Sequence, residues 1–202
     1  MRAHLKFCEN SMCSTTVPDK TGHGWNAALL NGAIAENALL LLNGSSQFLE
    51  FPSGLLSNMS EYTIMCWIYV SAQYNFTPVW EFGDDDGNYI FLAINGSILT
   101  FGISINFELN YSLTFGDAIG SNRWMHTAII FKYPILETYT NWTLIKKAPL
   151  PAIPSSLSNS PRNWIGRSES ENNSYFTGRI ADFRIYERAI KADEFVEISN
   201  GL

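Results

Sequence analysis

The chain has 202 residues and a net charge of −6, with 46% hydrophobic and 16% charged residues. That balance excludes a disordered segment, and the acidic excess excludes the clustered basic footprint of a nucleic-acid binder. The longest apolar runs, such as ALLLL at 38–42, are too short to span a bilayer, so membrane insertion is not expected and the chain reads as one domain over 1–202.

The N-terminal stretch MRAHLKFCENSMC has no apolar core long enough for a secretion signal, and the chain reads as a piece of a longer protein. Cys8 and Cys13 are near enough in sequence to bridge in an oxidising compartment. In SQFLEFP, Phe48 and Glu50 share one face, Leu49 and Phe51 the other. YTIMCWIYV is dense in β-branched and aromatic residues; this places Cys66 as a buried thiol and Trp67 in the core. YIFLAI, SILTFGISI and FELNYSLTF follow, with Asn95-Gly96 as a two-residue hairpin turn. WMHTAIIFKY, NWTLIKKA and NWIGRS are further strands, interrupted by a Pro/Ser-rich loop over 148–163. The closing strand, Ile180 to Tyr186, puts Ala181, Phe183 and Ile185 on one face and Asp182, Arg184 and Tyr186 on the other. Phe195, Ile198 and Leu202 then form a helical stripe, with Asp193 and Glu194 in the first turn where the helix dipole favours acids. Many short strands with regular turns predict an all-β fold, a two-sheet antiparallel jelly-roll sandwich with a short C-terminal helix.

Catalytic signals are missing. No strand shows the alternating Glu-x-Asp-x-Glu acids that place two carboxylates beside a glycosidic bond. His4, His23 and His126 stand apart from any nucleophile motif, and His126 reads as a satisfied structural residue. The acids of GDDDG at 83–87 read as a solvated turn. Aromatic residues make up 14% of the chain; Trp25, Tyr74, Trp80, Trp142 and Trp164 are candidates to stack on sugar rings. Seven Asn-x-Ser/Thr acceptors, Asn43, Asn58, Asn75, Asn95, Asn110, Asn141 and Asn172, exceed the roughly three expected by chance and lean towards an extracellular, glycosylated protein.

Four stretches carry a family resemblance: VPDKTGHGWNAALLNGA, LLLLNGSSQFLEFP, YTIMCWIYV and GRIADFRIYERAIKADEF. In that order, over about Val17 to Ile198, the chain resembles the laminin G-like, concanavalin A-like jelly-roll domains. It departs from their pattern at His23, at Ala27 and at Ala181, where the family has the first of two acids. The resemblance implies one Ca²⁺ between the opening loop and the closing strand, held by Asp19, Gly24, Asn26 and Asp182; such a site needs several oxygen ligands. It also implies an extracellular or cell-surface recognition module that is not an enzyme and binds a glycan or protein ligand; of the candidate stacking aromatics, Trp25 and Trp142 are taken as its contacts. The alternatives are a spacer domain beside a catalytic one and, further off, a glycoside hydrolase.

Overall fold

The computed structural model describes residues 1–72, 75–116, 119–120, 122–150, 157, 159–191 and 193–200. Among the described residues, two antiparallel sheets of eight strands each pack face to face. Sheet A contains β1 (Ala3–Leu5), β4 (Ile34–Glu36), β5 (Leu39–Asn43), β7 (Glu61–Val70), β12 (Trp124–Lys132), β13 (Ile135–Thr140), β14 (Thr143–Pro149) and β16 (Thr177–Tyr186). Sheet B contains β2 (Thr16–Val17), β3 (Ala27–Leu30), β6 (Phe48–Glu50), β8 (Thr77–Gly83), β9 (Tyr89–Asn95), β10 (Ile98–Ile105), β11 (Glu108–Phe115) and β15 (Arg162–Ile165). Glu194–Asn200 forms one short helix, α1, on the outer face of sheet A.

The strand order of sheet A is β14-β13-β12-β7-β16-β5-β4, so the last strand of the chain lies in the middle of the sheet. Period-two alternation decides what each strand contributes. On β7, Tyr62, Ile64, Cys66, Ile68 and Val70 enter the core between the sheets. Cys66 there is a free, buried thiol that burial pushes up to about 12. The core centres on Phe51, Trp80, Phe82, Phe101 and Phe183, whose ring centroids lie 5.1–6.4 Å apart. Odd-numbered β7 residues face outward. Met65 packs there with Ala128, Ile130, Tyr139, Tyr186, Ile190 and Phe195 in a second, smaller cluster beneath α1.

Three sequence expectations change. Trp67 is not in the core; it alternates with Cys66 and Ile68 and stands half-buried on the outer face. The β9–β10 hairpin exists, but Asn95 pairs with Ile98, so its turn is Gly96-Ser97, with Gly96 supplying the positive φ of 63°. The closing strand does not alternate evenly: Ala181 pairs with Trp67 and Arg184 with Met65, leaving Asp182 as the extra residue of a β-bulge at φ 50°. The bulge shifts the pattern by one residue, so Ala181 joins Arg184 and Tyr186 on the outer face.

The close fit of β16 against β7 is visible at Gly178. A Cβ placed there would lie 2.0 Å from the Tyr69 carbonyl oxygen, and its φ of 151° disfavours any side chain. We expect Gly178→Ala to destabilise the fold by about 3 kcal/mol or more, the range of overpacked, strained sites. Urea unfolding of the variant checks this.

Candidate functional site

On one side β16 pairs with β7 at both ends of the strand. Its other side has two partners in succession: β5 takes Thr177–Ala181, and β1 takes Phe183–Ile185. Asp182 sits at the handover. Where β5 stops and β1 begins, the outer face of sheet A opens into a cleft of about 310 Å³ lined by Lys6, Glu9, Ala38, Trp67, Ala181 and Asp182. Ala38 and Lys6 immediately flank the ends of β5 and β1. The wall carrying Glu9 belongs to a loop closed by the Cys8–Cys13 disulfide. Cys13 N–H donates to the Ala35 carbonyl at 2.8 Å, which ties that loop to β4 across the gap.

Asp182 is held on both flanks. Its Oδ1 accepts from His4 Nε2 at 2.7 Å and from Arg184 Nε at 2.9 Å. Burial pushes its carboxyl up, but the hydrogen bonds from His4 and Arg184 outweigh this and hold it below the usual 3.8. An ionised carboxylate only accepts, so His4 Nε2 carries its proton towards Asp182. Lys6 Nζ and Glu9 Oε1 form an ion pair of 3.1 Å at the cleft mouth.

Trp67, which lines the cleft, is braced by aromatic neighbours. His126 and Trp142 meet it edge to face at 5.4 and 6.1 Å, and these two rings stack on each other at 3.6 Å. Phe195 of α1 follows, 5.6 Å from Trp142. Burial drives His126 down to about 3, with Asp182 opposing and Arg184 assisting, so its imidazole is neutral in the stack. Its Nδ1 has no hydrogen-bond partner among the described residues, so it is not the satisfied histidine expected from sequence. Trp142 forms a two-residue turn with Asn141, both at positive φ (46° and 67°). A left-handed Trp costs about 1–2 kcal/mol. Its stacking on His126 offsets that strain, as does the hydrogen bond from His126 N–H to Asn141 Oδ1 at 3.0 Å.

A laminin G family model, described as the concanavalin A-like lectin/glucanases superfamily, matches residues 43–195. The chain belongs to that superfamily. No curated protein matches it in sequence. Among solved structures it is similar to domain 4 of AbnA, an extracellular arabinanase from Geobacillus stearothermophilus, in complex with arabinotriose. That match has a TM-score of 0.72 and 18% identity, over 98% of this chain and 97% of that one. It is also similar to a structure of botulinum neurotoxin type C, whose cell entry depends on two ganglioside molecules (TM-score 0.74, 15% identity, 98% of this chain and 50% of that one). The binding domain of botulinum neurotoxin DC in complex with rat synaptotagmin II is similar too (TM-score 0.71, 13% identity, 98% and 51%). The chain thus spans about half of the two toxin chains.

The calcium ligands that the superfamily resemblance implied are all placed, but not as one ligand set. Asp19 Oδ1 accepts from His4 N–H and Thr21 N–H, each at 3.0 Å. Its Oδ2 accepts from Thr21 Oγ1 at 2.6 Å and Trp25 N–H at 3.3 Å. All four lone-pair positions of that carboxylate are therefore spent on protein donors. Asn26 Oδ1 accepts from Asp19 N–H at 2.8 Å. Gly24 turns the loop at φ 88°. Asp182 is engaged by His4 and Arg184, so His4 stands between the two acids and binds both. Among the described residues no group of three His, Cys, Asp or Glu could hold a metal ion. Any Ca²⁺ bound here would have to displace protein donors from Asp19.

The aromatic expectations also shift. The Trp25 ring is covered by the Arg2 guanidinium at 4.3 Å and packs on the core. Trp142 braces the cleft from behind rather than lining it. Trp80 is core, and Tyr74 lies outside the described residues. Trp67 was missed, together with Lys6 and Glu9; the alternation of β7 held the signal for Trp67, whereas nothing local marked the other two. Arg184 is the ion-pair partner of Asp182, while Arg167 lies over Trp164 at 4.3 Å and Phe48 at 4.7 Å. Asp84 organises its turn by accepting from Asp86 N–H and Asn88 N–H. The seven acceptor asparagines, Asn43, Asn58, Asn75, Asn95, Asn110, Asn141 and Asn172, are all exposed.

Sheet B brings together two acids that sequence spacing had not linked. Glu50 and Glu81 flank Trp164 in register. Trp164 Nε1 donates to Glu50 Oε1 at 2.8 Å. Glu81 is 2% exposed and pinned beneath a loop, accepting from Ser168 Oγ and from Glu169 N–H. Burial pushes it up to about 8, against the lowering effects of Ser168 and Arg167. Its stabilising contribution is full below the ordinary value of 4.5 and is lost as pH rises through about 8. We expect Glu81→Gln to raise the melting temperature relative to the native protein at pH 8, with the gap shrinking by pH 5. Scanning calorimetry across that range checks it. We also expect Ca²⁺ added to chelator-treated protein to leave the melting temperature unchanged; a rise lost in Asp19→Ala would restore the calcium site.

Proposed function

We propose that this domain is a non-catalytic carbohydrate-recognition module of an extracellular protein, and that it binds its glycan in the cleft over Trp67. One observation carries the reading: a half-buried indole lines a cleft together with the charged Lys6, Glu9 and Asp182 and the small Ala38 and Ala181. Sugar rings present apolar C–H faces and a rim of hydroxyls. An indole beside fixed charged hydrogen-bonding groups answers both. The cleft volume of about 310 Å³ suits one or two sugar rings, at the small end of ligand pockets. The arabinotriose held by AbnA domain 4 and the gangliosides of the botulinum toxin support the ligand class by analogy. The Cys8–Cys13 bridge and the exposed glycosylation acceptors support an oxidising, extracellular setting. The absence of catalysis is inferred from Glu81, whose oxygens both accept from the 168–169 loop, and from Asp182, which is locked between His4 and Arg184.

A glycan array followed by calorimetric titration tests this. We expect a glycan hit that Trp67→Ala weakens by about tenfold or more, as for an aromatic anchor. Trp25→Phe should leave it intact. An empty array with a protein that still melts cooperatively would overturn the reading.

A further inference from the structure

Beside the cleft, β4, β5 and β16 form a second hollow of about 540 Å³, lined in part by Ile34, Leu39, Leu41, Gln47, Thr177 and Arg179. The two hollows adjoin. Leu39 of the second pairs directly with Ala181 of the first, and Ala38 of the first precedes Leu39. Cross-strand register explains the continuity. One row of the outer face runs Leu39, Ala181, Trp67, His126. The next row runs Ile34, Leu41, Arg179, Tyr69, Trp124. The rows are two residues apart along each strand, about 7 Å.

Arg179 stands out in that second row. It is exposed, and its guanidinium lies over the Tyr69 ring at 5.1 Å. Tyr69 in turn leans on Trp124 at 5.5 Å. Unlike Arg2, Arg162, Arg184 and Arg188, Arg179 has no carboxylate partner among the described residues. The Tyr69 ring restrains the guanidinium on one side, and its N–H groups suit a planar anion, which arginine grips with two parallel hydrogen bonds. The leucine and isoleucine floor suits the C–H faces of sugar rings between the two anchors.

Building on the carbohydrate reading above, we propose that the ligand is an oligosaccharide carrying a carboxylate, with one ring over Trp67 and its acidic residue gripped by Arg179.

Paired probes that differ only in the acid test the proposal: 3′-sialyllactose against lactose, and tetragalacturonate against its methyl ester. Titration is run on the native protein and on Arg179→Gln, Arg179→Lys, Lys6→Met and Trp67→Ala, each first shown to melt cooperatively. We expect at least one acidic probe to bind about tenfold or more tighter than its neutral partner, the scale of one charge-assisted contact. Arg179→Gln should erase that preference and Arg179→Lys should keep part of it, whereas Lys6→Met, which removes a charged wall of the cleft, should weaken acidic and neutral probes alike. Trp67→Ala should weaken acidic and neutral probes alike. Neutral probes binding as tightly as acidic ones overturns the acid-reading role while leaving the glycan cleft standing. So does a preference that survives Arg179→Gln or vanishes with Lys6→Met, and so does binding confined to neutral glycans on the array. No binding by any glycan overturns both proposals together.

Discussion

The placement of β16 governs this molecule. A strand made last in the chain lies at the centre of sheet A, pairing with β7 on one side and with β5 and then β1 on the other. Two short partners cannot abut without a seam, and the extra residue at Asp182 absorbs it. The left-handed backbone there is sustained by charge-assisted bonds from His4, on the first strand, and Arg184, on the last. The two ends of the chain are therefore joined by backbone ladder and by side-chain pairing at one point. The seam in the sheet is also what leaves the cleft open.

Around that seam the structure maintains features that are locally unfavourable. His126 is buried and kept neutral, and Trp142 occupies a left-handed turn position. Each is tolerated because the other is present: the rings stack, and Asn141 satisfies the His126 backbone. Phe195, brought by α1, closes the far side. The result is a rigid aromatic brace behind Trp67. Rigidity matters for recognition, since a preformed stacking surface loses little entropy on binding. On sheet B, by contrast, the comparable aromatics are capped. Arg167 covers Trp164 and Phe48, and the loop after β15 pins Glu81. The two outer faces have similar raw materials and opposite accessibility.

Superfamily membership fixes the sandwich, and the similar solved structures show how widely that framework is shared at 13–18% identity. The ligand belongs to individual side chains rather than to the framework. For the glycan reading proposed above, the informative ones are Trp67 and Arg179, both on strands of sheet A, where ladder hydrogen bonding holds their spacing.

The sequence by itself determined the sandwich. Alternation in SQFLEFP put Leu49 and Phe51 on one face, the one the structure turns inward, and YTIMCWIYV and WMHTAIIFKY read as strands, the pair β7 and β12 of sheet A. It also marked the Cys8–Cys13 pair and the acid of the closing strand, because these are local in sequence. Only the tertiary structure decided what those residues do. A bulge inverts the alternation at Ala181, and no local pattern announces it. AHL at 3–5 is too short to read as a strand, so neither β1 nor the bond from His4 to Asp182 was legible. Whether Trp67 or Trp25 meets solvent depends on what lies over each ring. The Arg2 guanidinium covers Trp25, while the seam between β5 and β1 leaves Trp67 open. Periodicity assigns a side chain to a face; only contacts between residues distant in sequence determine whether that face is covered.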